Sequence, residues 1–298
     1  MKVLVTGTNG QLGLDVALEL MKRGDEAIGA DRKDSEHHEF SHVKLDITDR
    51  EKVFDVMREL RPDAVIHCAA WTNVDGAELP ENLGAVRAVN VDGTLNLVEA
   101  CKEIGAKMMY ISTDYVFDGA GDEPWRPDDK KYAPLNVYGQ SKLDGELAVA
   151  KTLENYFIVR IAWVFGKNGK NFINTMLGLA KTHDELTVVY DQIGTTTYTV
   201  DLARLLVDMI LTDKYGYYHV TNEGGYISWA DFAREIFKIA GLNCKVKGVT
   251  TEEYGKIAGK TVAKRPYNSR LDKGKLVEMG FEPLPEWQDA VRRYIASL

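Results

Sequence analysis

The chain has 298 residues, of which 45% are hydrophobic, and a formal net charge of −8 at pH 7. A chain of this length can bury a large core and form two lobes, and the acidic balance argues against nucleic acid or an anionic membrane surface as the main partner. No apolar run approaches the roughly 20 residues of a membrane span, and a strand pattern begins at Lys2, so we expect neither a span nor a signal peptide. The three cysteines (Cys68, Cys101 and Cys244) are far apart in the sequence. They predict reduced thiols in a cytoplasmic protein, without a metal-ligand pattern. No metal ligand is predicted: His37, His38 and His42 are interpreted as part of a solvated loop, with a metal site as the alternative.

The first predicted elements resemble a nucleotide-binding unit. Residues 2–6 form an apolar run without alternation, which is typical of a strand buried on both faces. A glycine-rich turn follows, and a helical period begins at Leu14. This order predicts a backbone that closely approaches a pyrophosphate at a helix N-terminus, although a purely structural turn is the alternative. The residues predicted to contact a dinucleotide here are Gly7, Asn9, Gly10, Gln11, Leu12 and Gly13.

Two acidic residues follow the next predicted strands. Asp31 comes after the strand at residues 26–30, at the distance where a carboxylate accepts hydrogen bonds from the adenosine ribose. That carboxylate favours NAD(H), whereas Arg32 beside it can accommodate a 2′-phosphate, so NADH and NADPH both stay open. Asp46, with Ile47, follows a short strand at residues 43–45 and either faces the adenine or caps the next helix.

Helix and strand patterns then alternate at intervals that suit parallel crossovers. Helices are predicted at residues 49–60, 81–104 and 137–152, and strands at 64–67, 107–112 and 156–160. The pattern predicts an α/β fold with an open, doubly wound (Rossmann) parallel sheet, whose ligands bind beyond the carboxyl ends of the strands. Thr113 and the loop containing Ala69, Ala70 and Thr72 follow such ends, and we expect them to meet the helix of Tyr138.

Tyr138 and Lys142 are four residues apart on that predicted helix, so both side chains leave the same face. A phenol has a pKa of about 10 in water, and a nearby ammonium favours the phenolate and lowers that pKa. The spacing therefore predicts a tyrosine that acts as an acid, tuned by the lysine. The alternative is an ordinary pair on a solvated helix.

The alternation of helix and strand patterns becomes irregular after Gly166. Helices are predicted at residues 171–181, 200–211, 228–240 and 287–296, and strands at 186–190 and 217–220. We interpret this part as a second, smaller α/β substrate lobe that exchanges segments with the first. The predicted dinucleotide-binding domain is 1–163 and 199–221, and the predicted substrate domain is 164–198 and 222–298.

These motifs resemble a known family. The glycine pattern that begins at Thr6, the Thr113 position and the Tyr138-x-x-x-Lys142 motif are similar to those of the extended short-chain dehydrogenase/reductases. Residues 112–119, 163–166, 265–271 and 284–288 narrow the resemblance to the dTDP-4-dehydrorhamnose reductases within that family, and it spans the whole chain. One departure is Thr196, where those reductases usually have proline.

The resemblance implies NAD(P)H-dependent reduction of the C4 ketone of dTDP-4-dehydrorhamnose to dTDP-rhamnose, a step of deoxysugar nucleotide and polysaccharide biosynthesis. In that family the tyrosine (here Tyr138) donates the proton and the threonine (here Thr113) binds the same oxygen. The lysine, here Lys142, binds the nicotinamide ribose. The implied partner is a dTDP-sugar, with a homodimer as one option for the assembly.

The resemblance also implies a substrate pocket. Thr72, Val74 and Trp163 occupy the family positions that face the hexose, and an indole offers a flat apolar face to a sugar ring. Trp163 as plain core between the lobes is the alternative. Arg265 or Arg270 is predicted to contact the substrate diphosphate, and a structural arginine held by salt bridges is the alternative.

Related activities differ in the acid and base groups that they need. Sugar-nucleotide dehydratases carry an Asp-Glu pair after the threonine, whereas Asp114 is followed here by Tyr115. Enzymes that invert ring carbons use a cysteine near the threonine, and none lies near Thr113. A 4-epimerase stays open. So does a non-catalytic, nucleotide-binding regulatory subunit, because the beta subunit of methionine adenosyltransferase resembles the same reductases.

Overall fold

The computed structural model describes residues 1–258 and 263–298. The strands are β1 (Lys2–Thr6), β2 (Glu26–Asp31), β3 (Ser41–Lys44), β4 (Ala64–His67), β5 (Lys107–Thr113), β6 (Tyr156–Ile161), β7 (Val164–Phe165), β8 (Glu185–Val189), β9 (Ile193–Gly194), β10 (Thr197–Tyr198), β11 (Gly216–His219), β12 (Ile227–Ser228), β13 (Lys245–Val249) and β14 (Asn268–Ser269). The helices are α1 (Gln11–Lys22), α2 (Arg50–Leu60), α3 (Val74–Ala77), α4 (Leu83–Arg87), α5 (Gly93–Ile104), α6 (Val137–Thr152), α7 (Phe172–Leu179), α8 (Thr199–Ile210), α9 (Trp229–Ala240), α10 (Thr251–Ala258), α11 (Gly274–Glu278) and α12 (Trp287–Ile295).

A seven-stranded parallel sheet forms the main body, in the order β11-β6-β5-β4-β1-β2-β3. The strands β1 and β4 are apolar and almost fully buried, as expected for strands covered on both faces. The strand order reverses between β1 and β4, which opens a crevice at their carboxyl ends where doubly wound folds bind ligands. The predicted fold class is therefore confirmed.

Helices cover both faces of this sheet. The helices α1 and α8 pack on one face through side chains such as Val16 and Leu206. The helices α2, α5 and α6 pack on the other face, where Met57 and Leu97 are fully buried. Both layers bury apolar stripes, which is the main stabilising contribution of such a fold.

The predicted helix at residues 81–104 is continuous but not uniform. It combines α4, a π-helical turn at Ala88–Asp92 and α5. A π-turn places one extra residue in the helix and is frequent near functional sites. Here it carries Asn90, whose side chain accepts a 2.7 Å hydrogen bond from the backbone N–H of Trp71 and donates one of 2.9 Å to the Ser141 hydroxyl. The turn thereby ties the loop after β4 to α6.

The second half of the chain adds small sheets and its own core. The strand pairs β10-β7 and β13-β8 and the three-stranded sheet β12-β9-β14 lie in this part, and a core cluster around Phe165, Phe232 and Trp287 packs α7, α9 and α12 together. The Ser228 hydroxyl caps α9 by accepting from the Asp231 N–H, and the Asp231 carboxylate accepts in return from the Ser228 N–H. The elements from Val164 onward that were not predicted are the short strands β7, β9, β10, β12 and β14, the strand β13 and the helices α10 and α11. The lobe boundaries stay a prediction.

An ion pair without solvent contact fixes α6 to the sheet. Arg160 on β6 donates to both carboxylate oxygens of Glu146 on α6, at 2.8 and 2.7 Å, and both side chains are 0% exposed. The guanidinium also donates to the Pro127 carbonyl and the Tyr132 hydroxyl. Removing one partner of such a pair typically costs about 3–5 kcal/mol, because it leaves an uncompensated buried charge.

Within residues 1–258 and 263–298, the helices are all too short or too polar to cross a bilayer.

Candidate active site

A cavity of about 850 Å³ lies at the carboxyl ends of β1, β4 and β5. The glycine turn and Asp31 line one end, and Tyr138 and Trp163 line the other. This volume falls within the range of ligand-binding clefts, about 300–1,000 Å³. The cavity therefore joins the predicted nucleotide loop to the predicted catalytic helix.

The turn between β1 and α1 requires its glycines. Gly7 has a φ of +74°, and a Cβ there would lie 2.7 Å from the backbone nitrogen of Ala69. A Cβ at Gly13 would lie 2.3 Å from the Gly7 carbonyl oxygen. Gly10 is the N-cap of α1 and offers no side chain to the first N–H groups of the helix. These N–H groups border the cavity, where an anion can accept their hydrogen bonds.

Two carboxylates line the adjoining end of the cavity. Asp31 ends β2, and its carboxylate accepts hydrogen bonds from the backbone N–H groups of Asn9 (3.2 Å) and Lys33 (3.3 Å). Asp46 also lines the cavity, and its carboxylate accepts from Thr48. Asp49, not Asp46, caps α2. The alternative that Asp46 serves as this helix cap is therefore wrong.

The helix α6 carries Tyr138 and Lys142 into the cavity. Asn136 caps its first turn by accepting from the Gly139 N–H at 2.7 Å. The Lys142 side chain is buried, with its Nζ 4.1 Å from the centroid of the Tyr110 ring. Burial lowers the pKa of Lys142 to about 7, against the opposing influence of the Glu146 carboxylate one turn further along.

Tyr138 adjoins Thr113 and Asp114 at the end of β5. Burial among these groups raises the pKa of Tyr138, the charge of Asp114 raises it further, and a hydrogen bond with Thr113 acts in the opposite direction. The Thr113 hydroxyl itself donates to Asp114 at 3.1 Å. The predicted lowering of this pKa by Lys142 is thus wrong for the ligand-free protein, because burial dominates. The phenol consequently holds its proton at neutral pH and is a proton donor.

Asp114 is a buried carboxyl group at the cavity wall, only 2% exposed. Burial raises its pKa to about 6, although hydrogen bonds from Ser269 and Thr113 oppose that shift. No role in proton transfer is predicted for Asp114 from the sequence. Its hydrogen bond with Thr113 and its charge near Tyr138 make it part of the electrostatic environment of both.

Trp163 lies between the cavity and the core of the second half, and its contact with the sugar stays a prediction. Its indole lines the cavity and stacks on Trp229, with ring centroids 3.8 Å apart. It also packs against the core of the second half. The backbone of Trp163 adopts a φ of +49°, which is uncommon for a residue with a bulky side chain and is concentrated at functional sites. Trp163 is thus both a wall of the cavity and a core residue.

The structure brings most of the predicted site residues to this one cavity. Of those predicted, the cavity is lined by Gly7, Asn9, Gly10, Gln11, Leu12, Gly13, Asp31, Arg32, Asp46, Ile47, Ala69, Ala70, Thr72, Val74, Thr113, Tyr138, Lys142 and Trp163. Lining residues that were not predicted include Tyr115, Asn168, Lys170 and Trp229. Tyr115 lies in a 3-10 turn after β5, within the family motif of residues 112–119. Asn168 and Lys170 come from a loop and Trp229 begins α9, and no sequence motif marks these three.

The two predicted arginines are not among the described residues that line the cavity. Arg265 forms a 2.9 Å ion pair with Asp75 and donates to the Ala263 carbonyl. Arg270 donates to the Asn268 side chain at 3.0 Å. The ion pair favours the structural role for Arg265, and its contact with a diphosphate stays a prediction.

The described residues contain no group of three histidine, cysteine or acidic side chains arranged to hold a metal ion. His67 is held between Thr6 and Thr94, and burial lowers its pKa to about 3, so it is neutral.

The chain is similar to known proteins over its whole length. The family described as RmlD substrate binding domain matches residues 1–298. A spore coat polysaccharide biosynthesis protein (SpsK) of Bacillus subtilis is 40% identical, over 99% of this chain and 96% of its own length. A dTDP-4-dehydrorhamnose reductase of Sinorhizobium fredii is 38% identical, over 100% and 98%. The crystal structure of a dTDP-4-dehydrorhamnose reductase from Bacillus anthracis, in complex with NADP, is 39% identical. It has a TM-score of 0.90 and full coverage of both chains, 100% each.

Replacing Asp31 with alanine tests the carboxylate at the end of β2. Loss of its charge removes repulsion of a 2′-phosphate and removes a ribose acceptor, so kcat/KM should shift toward NADPH and away from NADH. Steady-state kinetics with both cofactors measures the ratio. Asp34→Ala, the same charge change on an exposed residue paired with Lys44, is the control. An unchanged ratio in Asp31→Ala would mean that Asp31 does not face the ribose.

Replacing Asp114 with asparagine tests the buried carboxyl. The pKa of Asp114 in the folded protein, about 6, lies above the ordinary value of 3.8. The protonated carboxyl group therefore makes its full contribution to stability below pH 3.8. That contribution is lost as pH rises through 6, because the unfolded chain gives up this proton more readily than the folded protein does. An asparagine at this position cannot ionise, so the free energy of unfolding of the variant does not fall over this pH range through ionisation of residue 114. Relative to wild type, the variant should gain up to about 3 kcal/mol of unfolding free energy between pH 4 and pH 7.

Denaturant unfolding of the ligand-free protein at several pH values measures this difference. Asp122→Asn, on an exposed residue, should follow the wild-type curve. Parallel curves for Asp114→Asn and wild type would contradict the raised pKa.

Proposed function

The chain belongs to the RmlD substrate binding domain family, and on that premise we propose that it reduces the C4 ketone of dTDP-4-dehydrorhamnose to the alcohol of dTDP-rhamnose, with NADPH or NADH as the reductant. The single observation that carries this proposal is the meeting of Tyr138, Thr113 and Lys142 in a cavity that continues to the glycine turn. Reductase relatives at 38% and 36% identity support the substrate.

The cavity fits a reduced nicotinamide dinucleotide. The uncapped N-terminus of α1 and the glycine turn would hold the diphosphate, because backbone N–H groups and the helix dipole both favour an anion there. Asp31 and Arg32 would hold the adenosine ribose. Lys142 would hold the ribose next to the nicotinamide. When bound, the cofactor supplies the hydride that adds to the ketone carbon.

Side chains of the protein donate the proton and stabilise the charges that develop during the reaction. Tyr138 donates its phenolic proton to the ketone oxygen as the carbon accepts the hydride, so the carbonyl becomes a hydroxyl. Thr113 hydrogen-bonds to the same oxygen and stabilises the charge that develops there. The Lys142 ammonium stabilises the tyrosinate that remains, and solvent restores the proton.

For the substrate, we assign Trp163, Thr72 and Val74 to the sugar. The Trp163 face, stacked on Trp229, would pack on the hexose ring and orient its ketone toward Tyr138. Arg265 stays a candidate for contact with the substrate diphosphate, because it hydrogen-bonds to Tyr115 and Tyr115 lines the cavity. We also propose that the dinucleotide-binding domain is 1–163 and 199–221 and that the rest of the chain is the substrate domain. A homodimer and a cytoplasmic location belong to the same proposal.

The proposed function is tested by incubating the purified protein with dTDP-4-dehydrorhamnose and either reduced cofactor. Oxidation of cofactor is followed at its absorbance maximum and the product by NMR. Stoichiometric oxidation with formation of dTDP-rhamnose is the expected result. Cofactor binding without oxidation would indicate a regulatory subunit, and sugar interconversion without net oxidation would indicate a 4-epimerase.

Replacing Tyr138 with phenylalanine removes the proton donor and preserves the ring. A positioned acid contributes roughly 10²- to 10⁴-fold in rate, so kcat should fall by about that factor while cofactor affinity stays near wild type. Tyr215→Phe makes the same change at a residue bound to Asp213, outside the cavity, and should leave kcat unchanged. A Tyr138→Phe enzyme with wild-type kcat would rule out this donor.

A further inference from the structure

The segment of residues 167–170, which we call the strap, crosses from the second half of the chain to the glycine turn. The Asn168 side chain donates to the Asn9 carbonyl at 3.0 Å, and the Gln11 side chain donates to the Lys170 carbonyl at 3.3 Å. The next residue, Asn171, donates to the Gln11 side chain at 3.3 Å. The Asn168 side chain also donates to the Gly10 carbonyl at 3.4 Å. Side-chain hydrogen bonds therefore hold the strap against the loop that would cradle a diphosphate.

The far end of the strap is anchored in the second half of the chain. The Asn171 side chain caps α7 by accepting from the Asn174 N–H at 3.0 Å, and it donates to the Tyr294 hydroxyl of α12 at 2.9 Å. Asn171 itself is 8% exposed. The strap is thus fixed at both ends.

Charge is unevenly distributed along the cavity. Among the described lining residues, the lysines and arginines are Arg32, Lys142 and Lys170. Arg32 follows β2 at the adenosine end, and Lys142 lies on α6 at the opposite end. The glycine turn itself, residues 7–13, contains no basic side chain. Two of the three lie on segments that are hydrogen-bonded to that turn: Arg32, whose neighbours Asp31 and Lys33 accept hydrogen bonds from Asn9, and Lys170 on the strap. Of these two, Arg32 lies at the adenosine end of the cavity and Lys170 lies on the strap.

We infer that Lys170 is a cofactor-binding residue that places its ammonium against the cofactor diphosphate, and that the strap holds it there. The inference rests on the proposed cofactor. A diphosphate bound to an acidic protein is stabilised by a nearby cation as well as by the helix N-terminus. Since the strap is anchored to α7 and α12, a bound diphosphate would also link the two halves of the chain.

The test compares Lys170→Ala with Lys167→Ala. Both remove one exposed lysine from the same strap, but Lys167 is not among the lining residues. The bond from Gln11 goes to the backbone carbonyl of Lys170, so Lys170→Ala preserves it. Calorimetric Kd values are measured for NADPH and for ADP-ribose, which keeps the diphosphate and lacks the nicotinamide.

We expect Lys170→Ala to weaken both ligands about fivefold at low ionic strength, and less at high salt, because solvent screens an exposed charge. Lys167→Ala should bind as wild type does, and Lys170→Arg should restore affinity. Asn168→Ala, which releases the strap but keeps its charge, should give an intermediate loss.

Three results would overturn the inference: unchanged Kd values in Lys170→Ala, an equal loss in Lys167→Ala, or a loss for NADPH without one for ADP-ribose. If the wild type binds neither ligand, the cofactor proposal fails and this inference fails with it. If the wild type binds both and Lys170→Ala weakens both, but no sugar is reduced, the proposed reaction fails and this inference stands.

Discussion

The buried ion pair between Arg160 and Glu146 is the interaction on which the geometry of the site depends. It joins β6 to α6 without solvent contact, and two charges in such a position hold together firmly because separating them costs several kcal/mol. Lys142 lies one helical turn before Glu146, and Tyr138 lies two turns before it. The ion pair therefore fixes how far the Tyr138 and Lys142 side chains extend into the cavity. The charge of Glu146 also favours the protonated form of the buried Lys142 amine.

Burial then determines the chemistry at the other end of α6. The same surroundings that lower the pKa of Lys142 raise those of Tyr138 and Asp114. A phenol that retains its proton, beside a lysine that titrates near neutrality, suits donation of a proton to a developing alkoxide. The stack of Trp163 on Trp229 gives the adjoining wall an apolar surface. Electrostatic interactions are stronger in surroundings of low dielectric constant than in water.

Much of this could be predicted from local sequence. Apolar runs between glycine turns indicate buried parallel strands, and the four-residue spacing of Tyr138 and Lys142 places both on one face of a helix. What could not be predicted depends on tertiary contacts. Burial of Tyr138, and secondarily the charge of Asp114, reverses the expected direction of the tyrosine pKa. The partner of Arg265 is Asp75, which lies on a helix distant in the sequence. Lys170 lines the cavity from a loop that the side chains of Asn168 and Asn171 tie to the glycine turn and to Gln11. The exposed, lysine-bearing strand β13 lacks the apolar pattern that marks a strand.

The central claim is that a hydride passes from the cofactor to C4 of the sugar while Tyr138 supplies the proton. It is tested most directly by one turnover of dTDP-4-dehydrorhamnose with NADPH dideuterated at C4 of its nicotinamide, followed by NMR of the sugar product. The account predicts deuterium at C4 of the deoxyhexose, with the new hydroxyl proton drawn from solvent. Product carrying protium at C4, or deuterium at any other ring carbon, would contradict it.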